Sequence, residues 1–201
     1  MSWTVFVVAI FNAMLINNVI LSQFLGVCPF LGVSKKSSSA VGMSFAVMFV
    51  MVVASLVTYT IYALVLVPFG ITYIQTIAFI LVIASLVQLV EILIKKFSTP
   101  LYKSLGIYLP LITTNCAILG VAEGNITNIY TPELSFIGGL GLAGFTALGT
   151  AAGFGLVMFA FSSIRERLNS ANVPESWKGV PISLVAAGIM SIAFLGLAGI
   201  L

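Results

Sequence analysis

The length and purity of its apolar runs constrain this chain most. Hydrophobic stretches cover residues 4–25, 42–67, 73–94, 105–121, 135–161 and 181–201, with only short segments between them. A helix needs about 20 apolar residues to cross a hydrocarbon layer of roughly 30 Å, so the chain has room for about six crossings and little else. Eight basic and five acidic side chains among 201 residues make it 6% charged, where soluble domains carry roughly 25%. A water-soluble globule is excluded, and so is any cytosolic catalytic or nucleotide-binding domain of normal size. Nucleic acid is not an expected partner; membrane lipid is. The fold class expected is an all-α integral membrane protein, and Met1-Ser2-Trp3 lacks the basic region of a cleavable signal, so the first span is expected to be retained.

Neither histidine nor aspartate occurs. That removes a Ser-His-Asp triad, a His-ligated zinc or haem and an Asp-based proton relay. Lys35 and Lys36 follow the first span, Lys95, Lys96 and Lys103 the third, and Arg165, Arg167 and Lys178 the fifth, while the even-numbered loops hold no basic residue. Basic loops face the cytoplasm, so six spans with both termini on the outer side satisfy the whole pattern, and five or seven would break it. Glu123 and Glu133 fall in the outer loop after span four; Glu91, one turn before Lys95, reads as an i,i+4 pair at the membrane edge.

Cys28-Pro29-Phe30-Leu31-Gly32-Val33 and Cys116-Ala117-Ile118-Leu119-Gly120-Val121 share the form C-x-x-L-G-V and contain the only two cysteines. Each motif ends an interrupted hydrophobic segment that begins a set of three spans. Three is odd, so the halves, residues 1–98 and 99–201, have opposite orientations. The chain is expected to hold two inverted three-helix repeats with interrupted first and fourth helices, an arrangement that gathers functional groups near the midplane. Asn12, Asn17, Asn18 and Gln23 precede the first cysteine, and Pro110, Thr113, Thr114 and Asn115 precede the second. Such polarity fits helices broken inside the membrane, and Gly26 and Pro29 bracket Cys28 where one piece would end and the next begin.

The cysteines admit three readings: inert buried thiols, a disulfide, or shared metal ligation. Two thiolates cannot complete a four-cysteine iron–sulfur site, so the third reading requires a partner that supplies two more. The glycines at 138, 139, 141, 144, 149, 153 and 155 lie within an apolar run and read as close helix packing rather than a nucleotide loop.

The run from Phe24 to Lys36, the run from Leu105 to Ala117, Ile164-Arg165-Glu166-Arg167-Leu168 with Val173-Pro174, and Ala187-Gly188-Ile189-Met190-Ser191 together resemble the A-type membrane subunits (RnfA) of Rnf ion-translocating electron transport complexes. The E subunit of the sodium-pumping NADH:quinone oxidoreductase is a homologous relative, but Cys28-Pro29-Phe30 and Thr113-Thr114-Asn115-Cys116 are more similar to the Rnf version. The resemblance implies a six-helix protein paired pseudosymmetrically with an RnfE-like subunit, the two sharing a [2Fe–2S] cluster of which Cys28 and Cys116 are two ligands. It further implies the Rnf B, C, D and G subunits as partners, with flavins and other clusters on those subunits. The activity implied is ferredoxin:NAD oxidoreduction coupled to Na⁺ or H⁺ movement across the cytoplasmic (inner) membrane of a bacterium or archaeon, with no complete active site in this chain alone. Asn17, Asn18, Thr113, Thr114 and Asn115 are candidates for a cation path or for hydrogen bonds around the cluster. The alternative is an inverted-repeat transporter or channel-like scaffold with inert cysteines.

Overall fold

The computed structural model describes residues 3–34, 37–97, 109–129, 136–170 and 174–198, and among these it is helical with no strands. Helix α1 (Trp3–Phe11) widens into a π-turn over Asn12–Ile16, closed by the Asn17 N–H on the Asn12 carbonyl at 2.9 Å. An irregular stretch, residues 17–26, leads into the short helix α2 (Val27–Val33). Helix α3 (Ser37–Ile61) continues through a π-turn (Tyr62–Leu66) and a last turn (Val67–Phe69) to Gly70, whose φ of 66° ends it. Then come α4 (Gln75–Phe97), α5 (Leu109–Thr113), α6 (Cys116–Ile129), α7 (Phe136–Ser170) and α8 (Val180–Ala198).

Three helical stretches are long and apolar enough to cross a bilayer: Ser39–Phe69, Thr72–Ile92 and Phe136–Ser170. The first and fourth hydrophobic segments are interrupted, as their composition leads one to expect: the first between α1 and α2, the fourth at Thr114 and Asn115 between α5 and α6. Two boundaries differ from the sequence reading. Gly124 and Asn125, expected in a loop, lie inside α6, because the Asn125 side chain is bonded into the bundle and holds the helix past its glycine. The fifth segment, expected to end at residue 161, stays helical to Ser170, with Ser162 and Arg165 still buried against the rest of the protein. Lys35, Lys36, Lys103 and Glu133, like the junction near residue 98 between the expected halves, fall outside the described residues.

Helix α7 is the spine. Its 35 residues reach about 50 Å. Its glycines let other backbones approach: a β-carbon at Gly149 would stand 2.7 Å from the Ile10 carbonyl oxygen, and one at Gly153 would stand 2.5 Å from that of Met14. The small-residue reading of this run therefore holds. Ile10 and Met14 meet Gly149 and Gly153 in the same order along both segments, so α1 runs parallel to α7. Helix α3 runs antiparallel to it, with Tyr59 at Gly139, Leu56 at Gly144 and Ser44 at Gly155. One apolar core, which includes Phe30, Met43, Met51, Phe79, Phe154 and Phe161, spans both expected halves.

Candidate redox site at the paired helix breaks

The first break is hydrogen-bonded to itself and to its neighbours. Asn18, 2% exposed, donates from Nδ2 to the Met14 carbonyl (3.1 Å) and accepts the Ile20 N–H (3.1 Å) on Oδ1. The Leu25 N–H closes on the Val19 carbonyl at 3.0 Å, and Ser191 of α8 donates to the Leu21 carbonyl at 2.6 Å. Backbone at this depth needs such partners, since hydrocarbon offers none. Gly26 then turns the chain at φ 81°, and a β-carbon there would meet Phe154 at 3.0 Å and Ala117 at 3.1 Å. Only glycine fits both the conformation and the space.

Gly26 brings the two breaks together. Its N–H donates to the Cys116 Sγ at 2.9 Å, across 90 residues of sequence. Cys116 is the first residue of α6, half-buried, and Cys28 lies in the first turn of α2, exposed. The thiols are not bonded to each other, so the disulfide reading is not realised.

Asn115 caps α6. Its Oδ1 accepts the Ala117 N–H at 3.0 Å, whereas its buried Nδ2 has no partner. Thr114 is exposed and its hydroxyl donates to the Pro110 carbonyl at 2.9 Å; Thr113 is half-buried in the turn before it. The other candidates divide. Asn18 spends both ends of its amide on the break, while Asn17 faces a cavity of about 480 Å³ whose wall also includes Gln23, Gly120, Asn125, Thr146 and Thr150.

Short helix α2 is anchored at its far end. Phe30 stacks on Phe161 of α7, with ring centroids 4.0 Å apart. Arg165, 5% exposed, donates to the Leu31 carbonyl at 2.5 Å and to the Ser34 hydroxyl at 2.8 Å, a cation set at the C-terminal end of the helix that bears Cys28. Glu166, one residue on, accepts the Ser37 N–H (3.1 Å) and hydroxyl (2.8 Å) at the start of α3. Arg165, Asn125, Thr146 and Thr150 are residues that the sequence reading does not single out for the site. The available signal is polar residues recurring at helical spacing in apolar runs.

Among the described residues no group of three or more His, Cys, Asp or Glu side chains could hold a metal ion. Two soft sulfur donors, one already receiving an N–H, fit part of an iron–sulfur site, and a four-thiolate cluster would need two ligands beyond the two cysteines of this chain.

The family model described as Rnf-Nqr subunit, membrane protein, matches residues 6–201. The chain belongs to the Rnf-Nqr family. Within Rnf-Nqr it is 54% identical over 188 residues, 94% of each chain, to the A subunit of the Na(+)-translocating ferredoxin:NAD(+) oxidoreductase complex of Acetobacterium woodii. It is 51% identical over 189 residues, again 94% of each chain, to the A subunit of the ion-translocating oxidoreductase complex of Syntrophotalea carbinolica. To the protein of the same description in Pasteurella multocida it is 49% identical over 197 residues, 98% of each. The resemblance to A-type Rnf subunits carried by the two cysteine motifs is thus borne out along nearly the whole chain.

Proposed function

We propose that this Rnf-Nqr protein is the A-type membrane subunit of an ion-translocating ferredoxin:NAD oxidoreductase, and that Cys28 and Cys116 supply two of four thiolates to a [2Fe–2S] cluster shared with an E-type subunit. The observation that carries the reading is the Gly26 N–H on the Cys116 Sγ, which joins two sequence motifs at two helix breaks. When bound, the cluster would supply a one-electron relay within the bilayer. The residues of this chain do the rest. Gly26 directs an N–H at one sulfur, Asn115 keeps a buried amide donor unpartnered at the start of α6, and Phe154 and Ala117 close the space behind the turn. Arg165 and Phe161 fix the helix that carries Cys28.

Cys28 is exposed at the start of α2, and so are Ser22, Gln23 and Phe24 on the irregular stretch before it, which supports a partner at this break, because open backbone is not left against lipid. The remaining partners on this reading are the B, C, D and G subunits, which carry the flavins and other clusters. The chain spans the cytoplasmic membrane six times as inverted halves, 1–98 and 99–201, with both termini outside, and the complex moves Na⁺ or H⁺.

The test is electron paramagnetic resonance of the dithionite-reduced chain co-assembled with its E-type partner. Cys28→Ser with Cys116→Ser should abolish a [2Fe–2S] signal and remove its iron while the pair still assembles. An iron-free native pair, or a signal unchanged in the variant, would favour the transporter or channel-like scaffold with inert cysteines.

A further inference from the structure

Among the described residues a single charged side chain is buried: Arg165, 5% exposed, near the end of α7. Withdrawing a cation from water is unfavourable unless hydrogen bonds and opposite charge offset it. Arg165 has the first and lacks the second. One Nη donates to the Leu31 carbonyl and the Ser34 hydroxyl, both uncharged. Glu166, the next residue, is exposed and turned to the N–H and hydroxyl of Ser37, so among the described residues no carboxylate is bonded to Arg165. Neutral donors satisfy open carbonyls elsewhere in this chain, as Ser191 does for Leu21 and Ser162 for Ser34. The end of α2 therefore does not by itself call for a cation.

The charge lies close to Cys28. Cys28 precedes Leu31 by three residues of α2, which sets their α-carbons about 5 Å apart. With the path from α-carbon to carbonyl oxygen and the 2.5 Å hydrogen bond added, the Arg165 Nη1 is within about 10 Å of the Cys28 α-carbon. At that separation, in a partly buried setting, two unit charges shift an equilibrium about tenfold. A cluster held by four thiolates is anionic, and one added electron makes it more so.

We propose that Arg165 is the counter-ion of the shared cluster, its buried charge favouring the reduced form and raising the midpoint potential. The inference rests on the cluster proposed above and goes beyond the anchoring of α2. Arg165 is bonded to neither sulfur. It acts through its field, and no bond or proton changes hands at it.

Substitutions separate charge from anchoring. Arg165→Gln removes the charge and keeps an amide donor. Ser34→Asp leaves Arg165 in place and sets a carboxylate against it, tightening the anchor while cancelling the charge. Ser34→Ala gives up one bond and keeps the charge. The purified complex carrying each variant is titrated potentiometrically and followed by paramagnetic resonance, the relevant signal being the one that Cys28→Ser with Cys116→Ser removes. At the native midpoint, Arg165→Gln and Ser34→Asp should each show a reduced-to-oxidised ratio about tenfold below native, about 59 mV for a one-electron couple. Ser34→Ala should keep the native midpoint, and g-values and iron content should match the native complex in all three. Where Arg165→Gln does not assemble, Ser34→Asp decides. A native midpoint in Arg165→Gln or Ser34→Asp, or a shift in Ser34→Ala equal to theirs, overturns the inference and leaves Arg165 an anchor. A native complex with no signal that depends on the cysteines overturns the cluster reading itself.

Discussion

Asn115 does two jobs with one amide, and they can be taken apart. Its oxygen caps α6 and its nitrogen is a buried donor with no partner, a condition that costs about 1–3 kcal/mol unless something accepts it. Asn115→Ser keeps a capping oxygen and deletes the donor. On the proposed cluster assignment the unpartnered Nδ2 is a donor available to a cluster sulfur, where it would stabilise the more negative, reduced form, so its removal should lower the midpoint potential while iron content is unchanged, as a potentiometric titration followed by paramagnetic resonance reads directly. Asn115→Leu should add a loss of about 1 kcal/mol of stability from the missing cap. A Ser variant with the native potential would leave Asn115 a cap and nothing more. The correspondence of the two cysteines was legible from C-x-x-L-G-V repeated at 28 and 116, and so was a helix break at Gly26 and Pro29 around Cys28. That the Gly26 N–H lands on the Cys116 sulfur could not, because local pattern carries no information about which distant segment the turn will face.

At the scale of elements, α7 positions the first break and α2: Gly149 and Gly153 seat the first helix, Phe154 backs the turn, and Phe161 and Arg165 hold α2. Gly153→Ala should therefore be destabilising despite its higher helix propensity, by about 1–3 kcal/mol, because the new methyl meets a backbone carbonyl that cannot step aside. Thermal unfolding of the assembled protein checks the direction. Arg165→Met removes two charge-assisted bonds and should cost about 1.5–3 kcal/mol, seen first as faster amide exchange in residues 27–33. The glycine run was legible as packing because it lay in an apolar segment. Asn125 was not legible as structure: Gly124-Asn125 has turn chemistry, and only the buried hydroxyl of Ser55 and the Ala143 carbonyl, far off in sequence, make a helix interior the better place for it.

For the whole molecule, the alternation of loops with and without basic residues predicts sidedness. Phe69→Cys, at the exposed turn that ends α3, should react with a membrane-impermeant thiol reagent added outside intact cells, and Ser176→Cys, in the segment between α7 and α8, should react only after the membrane is opened. Reaction of both from the same side would break the six-span arrangement. The two expected halves are not separable bodies, since α3 of the first lies along α7 of the second in a common core, so neither half made alone should fold. One consequence reaches beyond chemistry to how much of this protein a cell can keep. On the proposed pairing the exposed Cys28 and the exposed residues of the break before it need a partner against them, so a copy synthesised without that neighbour would be an orphan in the bilayer. Its abundance should follow the supply of that neighbour, with any surplus removed by membrane proteases, and a pulse-chase with the neighbour's synthesis switched off should show its lifetime collapse.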